Sequence, residues 1–354
     1  MRCLHIHVVK RSARVSVGVV GVAGTAGGEL VRLLTNHPDL EIAAVAGAES
    51  VGRTVAHVHP HLGSIDTRIV GPEEVAGVDV AFLALPHGRS AEIAPALLEA
   101  GTRVIDLGGD FRLEAGAYPE WYGFEHPAAA WLDKAVYGLT EAFREQVRGA
   151  TLVANPGCFP TPVVLGVAPL LWAGLLEPAP IVIDGKTGLS GAGKSLSAAT
   201  SHLATEESVR PYRAPRHQHT PEIERAIELA TGVAMRVTFV PHLVPAVRGV
   251  LTTTFARAAA GTTTDALVDA LREAYASEPF VRVLPPDGMV DTKRVRGSNV
   301  VELQAAVDRR TGSAFVVGAI DNLVKGAAGQ AIQNLNVMFG LDERTALPTV
   351  GVYP

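Results

Sequence analysis

A glycine-rich turn between a β-rich run and a helical pattern opens this chain, and it constrains the fold more than any other feature. Val15-Ser16-Val17-Gly18-Val19-Val20 reads as a short buried strand. Gly21-Val22-Ala23-Gly24-Thr25-Ala26-Gly27-Gly28 follows at once, and residues 29–37 then show a helical pattern. Strand, glycine turn and helix is the order a dinucleotide-binding βαβ unit needs. Glycines let the backbone turn tightly and approach a pyrophosphate, whose charge the free N–H groups at the helix start can take. Gly21, Gly24, Thr25, Ala26 and Gly27 are therefore candidate cofactor contacts. The spacing is G-x-x-G-x-x-G rather than G-x-G-x-x-G. Glycine-rich strand–helix turns also occur without a ligand, so the turn alone does not decide the function.

The same alternation continues. Leu40–Ala46 reads as the second strand, 78–85 as a third or fourth, 90–100 as a helix and 103–107 as another strand. Their unbroken apolar runs suit parallel strands buried on both faces. The turns at Pro86-His87-Gly88 and Gly108-Gly109 fall at strand ends, where open α/β sheets bind ligands, which makes Pro86 a candidate cofactor contact. From Asn155 onward the strands are more widely spaced and richer in Thr and Val: 180–184, 234–242, 248–257 and 313–320. They alternate with helices near 161–173, 220–231 and 264–276. The chain's 354 residues suit two domains. The expected fold class is α/β. A Rossmann-type dinucleotide-binding domain spans 1–157, and an α+β catalytic and oligomerisation domain with a mixed, largely antiparallel sheet spans 158–324. A final helix, about 325–340, opens a segment 325–354 that packs back on the first domain.

Composition narrows the partners. Apolar residues make up 47% and charged residues 19%, which excludes a disordered, solvating chain. A net charge of −5 argues against a nucleic acid or an acidic membrane as partner. An anionic small molecule needs only a few local cations. Two cysteines, Cys3 and Cys158, cannot make a disulfide framework and read as free thiols of a cytoplasmic protein. Residues 1–14 read as a loose tail with no cleavage site. The longest apolar run, 162–176, contains Pro169 and is shorter than the roughly 20 residues of a membrane span. The second sheet offers a pairing face, so a homo-oligomer, dimer or tetramer, is expected.

Cys158 is the first candidate for chemistry. It lies in Asn155-Pro156-Gly157-Cys158-Phe159-Pro160-Thr161-Pro162, directly before an apolar helix. Thr161 reads as the N-cap and Pro162 as the first helical residue. The positive end of that helix is expected to lower the thiol pKa. The alternative is a packed, inert cysteine. A nucleophilic thiol needs a proton partner, and His217-Gln218-His219-Thr220-Pro221-Glu222 supplies two histidines at another helix entrance. His57, His59 and His61 resemble a metal motif, but no Cys or carboxylate cluster adjoins them and they read as a structural loop; no metal is expected. Gly188-Leu189-Ser190-Gly191-Ala192-Gly193-Lys194-Ser195 matches the phosphate-binding P-loop pattern and makes an ATP-dependent phosphotransferase a rival reading. Lys186-Thr187 separate it from its strand, and the residues beyond Ser195 make a poor amphipathic helix. A glycine-rich loop with a lysine can equally embrace a cofactor or an acyl phosphate.

Taken in order, these motifs resemble the N-acetyl-γ-glutamyl-phosphate reductase family of arginine biosynthesis, distantly related to aspartate-semialdehyde dehydrogenase. The resemblance rests on the glycine turn, 83–88, Asp106 to Arg112, Asn155 to Thr161, Ser190 to Lys194, His217 to Glu222 and 319–336. It covers nearly all of the chain after residue 14. Ala23 and Thr25 stand where the family usually has Ser and Tyr, and Gly108-Gly109 where it has Ser-Ala. The resemblance implies NADPH-dependent reduction of an acyl phosphate through a Cys158 thioester, with His219 exchanging the proton. It assigns Arg112 to the phosphate, Lys194, His217 and Asn155 to the substrate, and Ser190, Gly191, Gly193, Asn322 and Gly326 to the cofactor. NADP is expected over NAD. Glu49 lies where an acid could take ribose hydroxyls, but Ser50 and Arg53 suit a 2′-phosphate. The lysine-pathway N-acetyl-aminoadipyl-phosphate reductases are the near alternative. A catalytically silent cofactor sensor is the distant one, and Cys158 with His219 argues against it.

Overall fold

The computed structural model describes residues 14–194 and 201–354. Cys3 and Ser195 therefore lie outside the described residues, as does the tail up to residue 13. The chain forms two sheets. The first contains β1 (Val15–Val20), β2 (Leu40–Ala46), β3 (Val80–Leu83), β4 (Arg103–Asp106), β5 (Val136–Tyr137) and β6 (Leu152–Ala154). All its pairings are parallel, in the order β2-β1-β3-β4-β6-β5. Val17, Val19, Val80, Phe82, Ile105 and Val153 are fully buried along it. Each such side chain contributes about 1.5–3 kcal/mol by leaving water.

The chain order reverses between β2 and β3 on either side of β1. This is the switch point at which such sheets open a ligand crevice beyond their carboxyl ends. The glycine turn leaves β1 there and Pro86 lies just past β3 on the same side. The helix Thr25–Leu34 starts directly after the turn and buries Leu30, Val31, Leu33 and Leu34 against the sheet.

The second sheet contains β7 (Ile181–Thr187), β8 (Arg210–Pro211), β9 (Val237–Leu243), β10 (Val250–Arg257), β11 (Val281–Val283), β12 (Val301–Asp308) and β13 (Ser313–Ile320). Its order is β11-β12-β13-β10-β7-β9-β8. β7–β9 and β11–β12 are parallel and the other four pairs antiparallel, which makes it mixed and largely antiparallel. Helices Pro160–Trp172, His219–Thr231 and Thr264–Ala274 share the core on one face. On the opposite face, Val182 and Phe255 are nearly half exposed.

The end of the chain returns to the first sheet. Ile320 leads into a π-helical turn, Val324–Ala328, and then the helix Gly329–Met338, every residue of which is buried. Ala331, Ile332 and Leu335 join Val80, Ile105 and Val153 in one core. The π turn replaces the continuous helix expected over 325–340, and it fixes where Gly326 sits. Among the described residues, no helix is long and apolar enough to cross a membrane.

Candidate active site

Cys158 stands at the junction of the two sheets. β6 ends at Ala154, and the Asn155–Gly157 loop carries the chain into the helix Pro160–Trp172. The helix begins two residues earlier than the sequence suggests: Pro160 is its first residue, and Thr161 lies inside it, donating from Oγ1 to the Gly157 carbonyl at 3.1 Å. Thr161 is not the cap.

The loop is held by one carboxylate. Glu222, fully buried, accepts the Gly157 N–H at 2.7 Å and the Tyr137 hydroxyl at 2.8 Å through Oε1. Its Oε2 accepts Arg112 at 3.1 Å and lies 4.0 Å from His219 Nε2. Glu222 follows His219 by three residues, which puts both side chains on one helix face. A Cβ at position 157 would meet His219 Nε2 at 2.5 Å and Arg112 at 2.9 Å, so only glycine lets the cysteine loop pass between them. Gly326 is equally tight, since a Cβ there would meet the Cys158 Cβ at 2.8 Å. The π turn thus presses bare backbone against Cys158 at its Cα and Cβ.

Both histidines are buried and touch, their rings 4.7 Å apart, and the His219 N–H donates to His217 Nδ1 at 3.1 Å. The segment is a helical turn rather than extended, with Gln218 at φ −58°, so Thr220-Pro221 lie inside the helix rather than before it. Burial, then the neighbouring His219 and Arg213, pushes His217 down to about 2. Burial, with Arg112 behind it, holds His219 well below the usual histidine range. Both imidazoles are neutral, and the buried His219 Nδ1 has no hydrogen-bond partner among the described residues. The thiol departs from expectation. Cys158 is half-buried, and burial pushes it up to about 11, outweighing the pull of Arg112. The resting pair is thiol and imidazole, not thiolate and imidazolium.

Several side chains that the resemblance gave to substrate turn inward. Arg112 is 4% exposed. Nε donates to the Asn155 carbonyl at 2.8 Å, one terminal nitrogen to Glu222 and the other to the Leu107 carbonyl at 2.9 Å. Its charge is matched by Glu222, so it shapes the field at Cys158 without a free fork for phosphate. Asn155 donates to the Ala327 carbonyl at 3.2 Å and accepts from Asn334 at 3.0 Å, which ties the cysteine loop to the C-terminal helix and engages both ends of its amide. Lys194 is displaced from the thiol altogether. Its Nζ reaches the Val58 carbonyl and His59 Nδ1, both at 3.2 Å, while His59 bonds the Val22 carbonyl of the glycine turn at 2.7 Å. Lys194 therefore stands on the cofactor side.

That placement also removes the P-loop reading. β7 runs into a short 3-10 turn, Leu189–Ala192, and the next described helix, His202–Thr205, has four residues. Instead, Asn322 ties this loop down, donating to Ser190 Oγ at 2.9 Å and accepting the Gly249 N–H at 2.8 Å. Asn322 is a bracket for the loop. Gly193, with φ +81°, turns it toward the first domain.

A dinucleotide fits the crevice. Gly21 has φ +88°, and a Cβ there would lie 2.2 Å from the Ala84 carbonyl oxygen. A Cβ at Gly27 would lie 2.3 Å from the Gly21 oxygen. Gly24 begins the helix without a side-chain cap, so the first-turn N–H groups at Thr25, Ala26 and Gly27 are free for an anion. Past β2, Ser50 Oγ is buried without a partner among the described residues, while Glu49 and Arg53 are exposed. The Gly-Gly departure at 108–109 has a local cause, because a Cβ at Gly109 would meet the Tyr122 hydroxyl at 2.3 Å.

Sequence reasoning assigned no role to Glu222, Tyr137 or Arg248. Arg248 bonds Glu29 of the first domain at 3.0 Å and Asp321 at 3.4 Å, joining the two halves beside the crevice. The spacing of Glu222 from His219 was a readable signal; the other two contacts are long-range.

A parallel nucleotide-type sheet joined through a cysteine loop to a mixed-sheet domain is the pattern of two family models. "Semialdehyde dehydrogenase, NAD binding domain" matches residues 16–150, and "Semialdehyde dehydrogenase, dimerisation domain" matches 158–322. The chain belongs to the semialdehyde dehydrogenase family. Its curated relatives are more particular. The N-acetyl-gamma-glutamyl-phosphate reductase of Desulforudis audaxviator is 47% identical over 96% of this chain and 100% of that protein. The enzyme of the same name from Symbiobacterium thermophilum is 49% identical over 96% and 99%. Among solved structures, aspartate semialdehyde dehydrogenase II of Vibrio cholerae superposes with a TM-score of 0.72 at 16% identity, over 93% of this chain and 99% of that one. Aspartate semialdehyde dehydrogenase with NADP from Candida albicans gives 0.69 at 18%, over 92% and 98%. At such identities the shared feature is the fold.

Proposed function

We propose that the protein reduces N-acetyl-glutamyl 5-phosphate to N-acetyl-glutamate 5-semialdehyde and phosphate with NADPH, in arginine biosynthesis. The observation that carries this reading is that one buried carboxylate, Glu222, holds the Gly157 N–H beside Cys158 at 2.7 Å and lies 4.0 Å from His219, at the carboxyl end of the dinucleotide-type sheet. The names of the close relatives point the same way. The boundary between the cofactor and catalytic domains is placed between Gly157 and Cys158, and 325–354 is assigned to the first domain.

The chain's own groups account for the proton traffic. Neutral His219 takes the thiol proton as Cys158 Sγ attacks the acyl carbon, so no thiolate needs to exist beforehand. The carbon–oxygen bond to phosphate breaks, phosphate leaves, and a thioester on Cys158 remains. Gly21, Gly24 and Gly27 with the first-turn N–H groups would hold the dinucleotide, and the Ser190–Gly193 loop would contact it. Reduced nicotinamide supplies the hydride that reduces the thioester when it is bound. The hemithioacetal oxyanion then collapses, the carbon–sulfur bond breaks, and His219 returns its proton to sulfur. His217 sits against His219 and fixes its ring.

The open face of the second sheet, with Val182 and Phe255 half exposed, is assigned to self-association, as a dimer or tetramer in the cytoplasm. The test is direct. N-acetyl-glutamate 5-semialdehyde, phosphate and NADP are mixed with the protein, and absorbance of the reduced cofactor is followed. Phosphate-dependent growth of that signal is expected. Faster turnover of the one-carbon-longer aminoadipate semialdehyde would move the protein to the lysine pathway, and no turnover of either would overturn the reading.

A further inference from the structure

An acyl phosphate of an N-acyl amino acid carries two anionic ends, a phosphate and a carboxylate, and the cations around Cys158 are already engaged. Arg112 is matched by Glu222. Lys325, wholly buried, is matched by Glu141 at 2.6 Å, and Lys194 lies over the glycine turn. Arg216 is paired with Glu120 at 3.1 Å. Arg213 differs from all of these. It is exposed, makes no ion pair among the described residues, and has one side-chain hydrogen bond, to Gln218 Oε1 at 3.0 Å. That partner lies between the two site histidines.

The backbone brings Arg213 beside the histidine segment. β8 pairs with β9, and the Tyr212 N–H then donates to the Pro241 carbonyl at 3.0 Å. This sets the Tyr212 ring 5.4 Å from His217. Arg213 follows with φ +49°, a left-handed conformation that a long side chain rarely adopts. Such an outlier persists where the surroundings over-determine it, and outliers of this kind cluster at ligand sites. The Arg213 charge acts on both histidines, behind burial and His219 at His217, and behind burial, Arg112 and His87 at His219.

We propose that Arg213 is the anion anchor of the substrate site, its guanidinium taking one oxyanion of the acyl phosphate, either the phosphate or the carboxylate. The planar fork suits both groups. The proposal rests on the acyl-phosphate reading, and it adds the residue that meets the substrate charge.

The test uses the full chain as wild type, Arg213→Gln and Arg213→Gly. In the reverse reaction, phosphate and N-acetyl-glutamate 5-semialdehyde are varied separately. At least a tenfold rise in one of those two Michaelis constants is expected in both variants, with that for NADP within twofold. A rise for phosphate assigns the phosphate end, and a rise for the semialdehyde the carboxylate end. Arg213→Gly should also raise the melting temperature, because glycine relieves the left-handed backbone. A merely structural arginine would show no selective rise. Both constants within twofold of wild type would overturn the proposal. A second measurement stands apart from turnover: protection of Cys158 from iodoacetamide by inorganic phosphate or by N-acetyl-glutamate, read by peptide mass spectrometry. Protection of the wild type that is lost in Arg213→Gln supports the anchor even if the assumed substrate is wrong. Equal protection in both proteins, or none in the wild type, counts against it.

Discussion

Glu222 and Gly157 are joined by a 2.7 Å hydrogen bond from a main-chain N–H to a carboxylate with no solvent exposure, 65 residues apart in sequence. This contact ties the nucleophile's loop to the helix that carries His219. The same carboxylate neutralises Arg112 and accepts Tyr137. Removing its charge leaves Arg112 buried without a counter-ion. Breaking one partner of such a pair costs about 3–5 kcal/mol. Glu222→Gln keeps the shape and loses the charge, so a lower melting temperature is expected, with at least a hundredfold fall in kcat. Binding of NADPH, followed by its fluorescence, should stay within twofold. A variant with wild-type kcat would show that the carboxylate charge does not organise the site.

Cys158 carries a second expectation. Its thiol is pushed up to about 11 by burial. Alkylation by iodoacetamide in the resting protein should therefore be slow at pH 7 and rise about tenfold per pH unit up to pH 10, since the thiolate is the reacting form. A plateau below pH 8 would show a thiolate already present at rest. Cys158→Ser should retain less than a tenth of the activity while still binding NADPH.

The parts of the fold that were readable share a local cause. β1, the glycine turn and β2 are set by neighbours in sequence: an apolar run, then glycines at positions that bear no Cβ. β12 was missed because Val301–Asp308 contains Glu302, Leu303, Gln304 and two alanines, which suit a helix; pairing with β13 along its length decides otherwise. At the site, Cys158 and His219 were visible as chemistry in a glycine- and proline-marked context. The direction of the thiol's pKa was not, because the helix end is a local influence and the burial comes from remote segments. The protein partners of Arg112 and Asn155 were hidden for the same reason. Their partners, Glu222 and Asn334, lie 110 and 179 residues away.

Arg53 carries the proposed preference for NADP. It follows the 3-10 turn Ala48–Ser50 at the end of β2 and is exposed, with no side-chain partner among the described residues. Ser50 beside it holds an unpartnered hydroxyl. A guanidinium here would suit a 2′-phosphate, with the exposed Glu49 facing solvent. Arg53→Ala should raise the Michaelis constant for NADPH at least tenfold and leave that for NADH within twofold. Equal effects on both would hand the ribose to Glu49.

Asp106 sets a pH dependence of stability. It ends β4, fully buried, with Asp110 nearby and one carboxyl oxygen without a partner. Burial, then the Asp110 charge, raises it to about 7 against an ordinary value of 3.8. A carboxyl raised in the folded state binds more protons folded than unfolded. Its protonation therefore stabilises the fold fully below pH 3.8, and that contribution is lost as pH rises toward 7. Asp106→Asn stays neutral throughout. Urea unfolding of the variant should show a flatter dependence between pH 5 and 8, and greater stability than wild type at pH 8. Parallel stability curves for the two proteins across that range would mean that Asp106 is already ionised in the fold at pH 5.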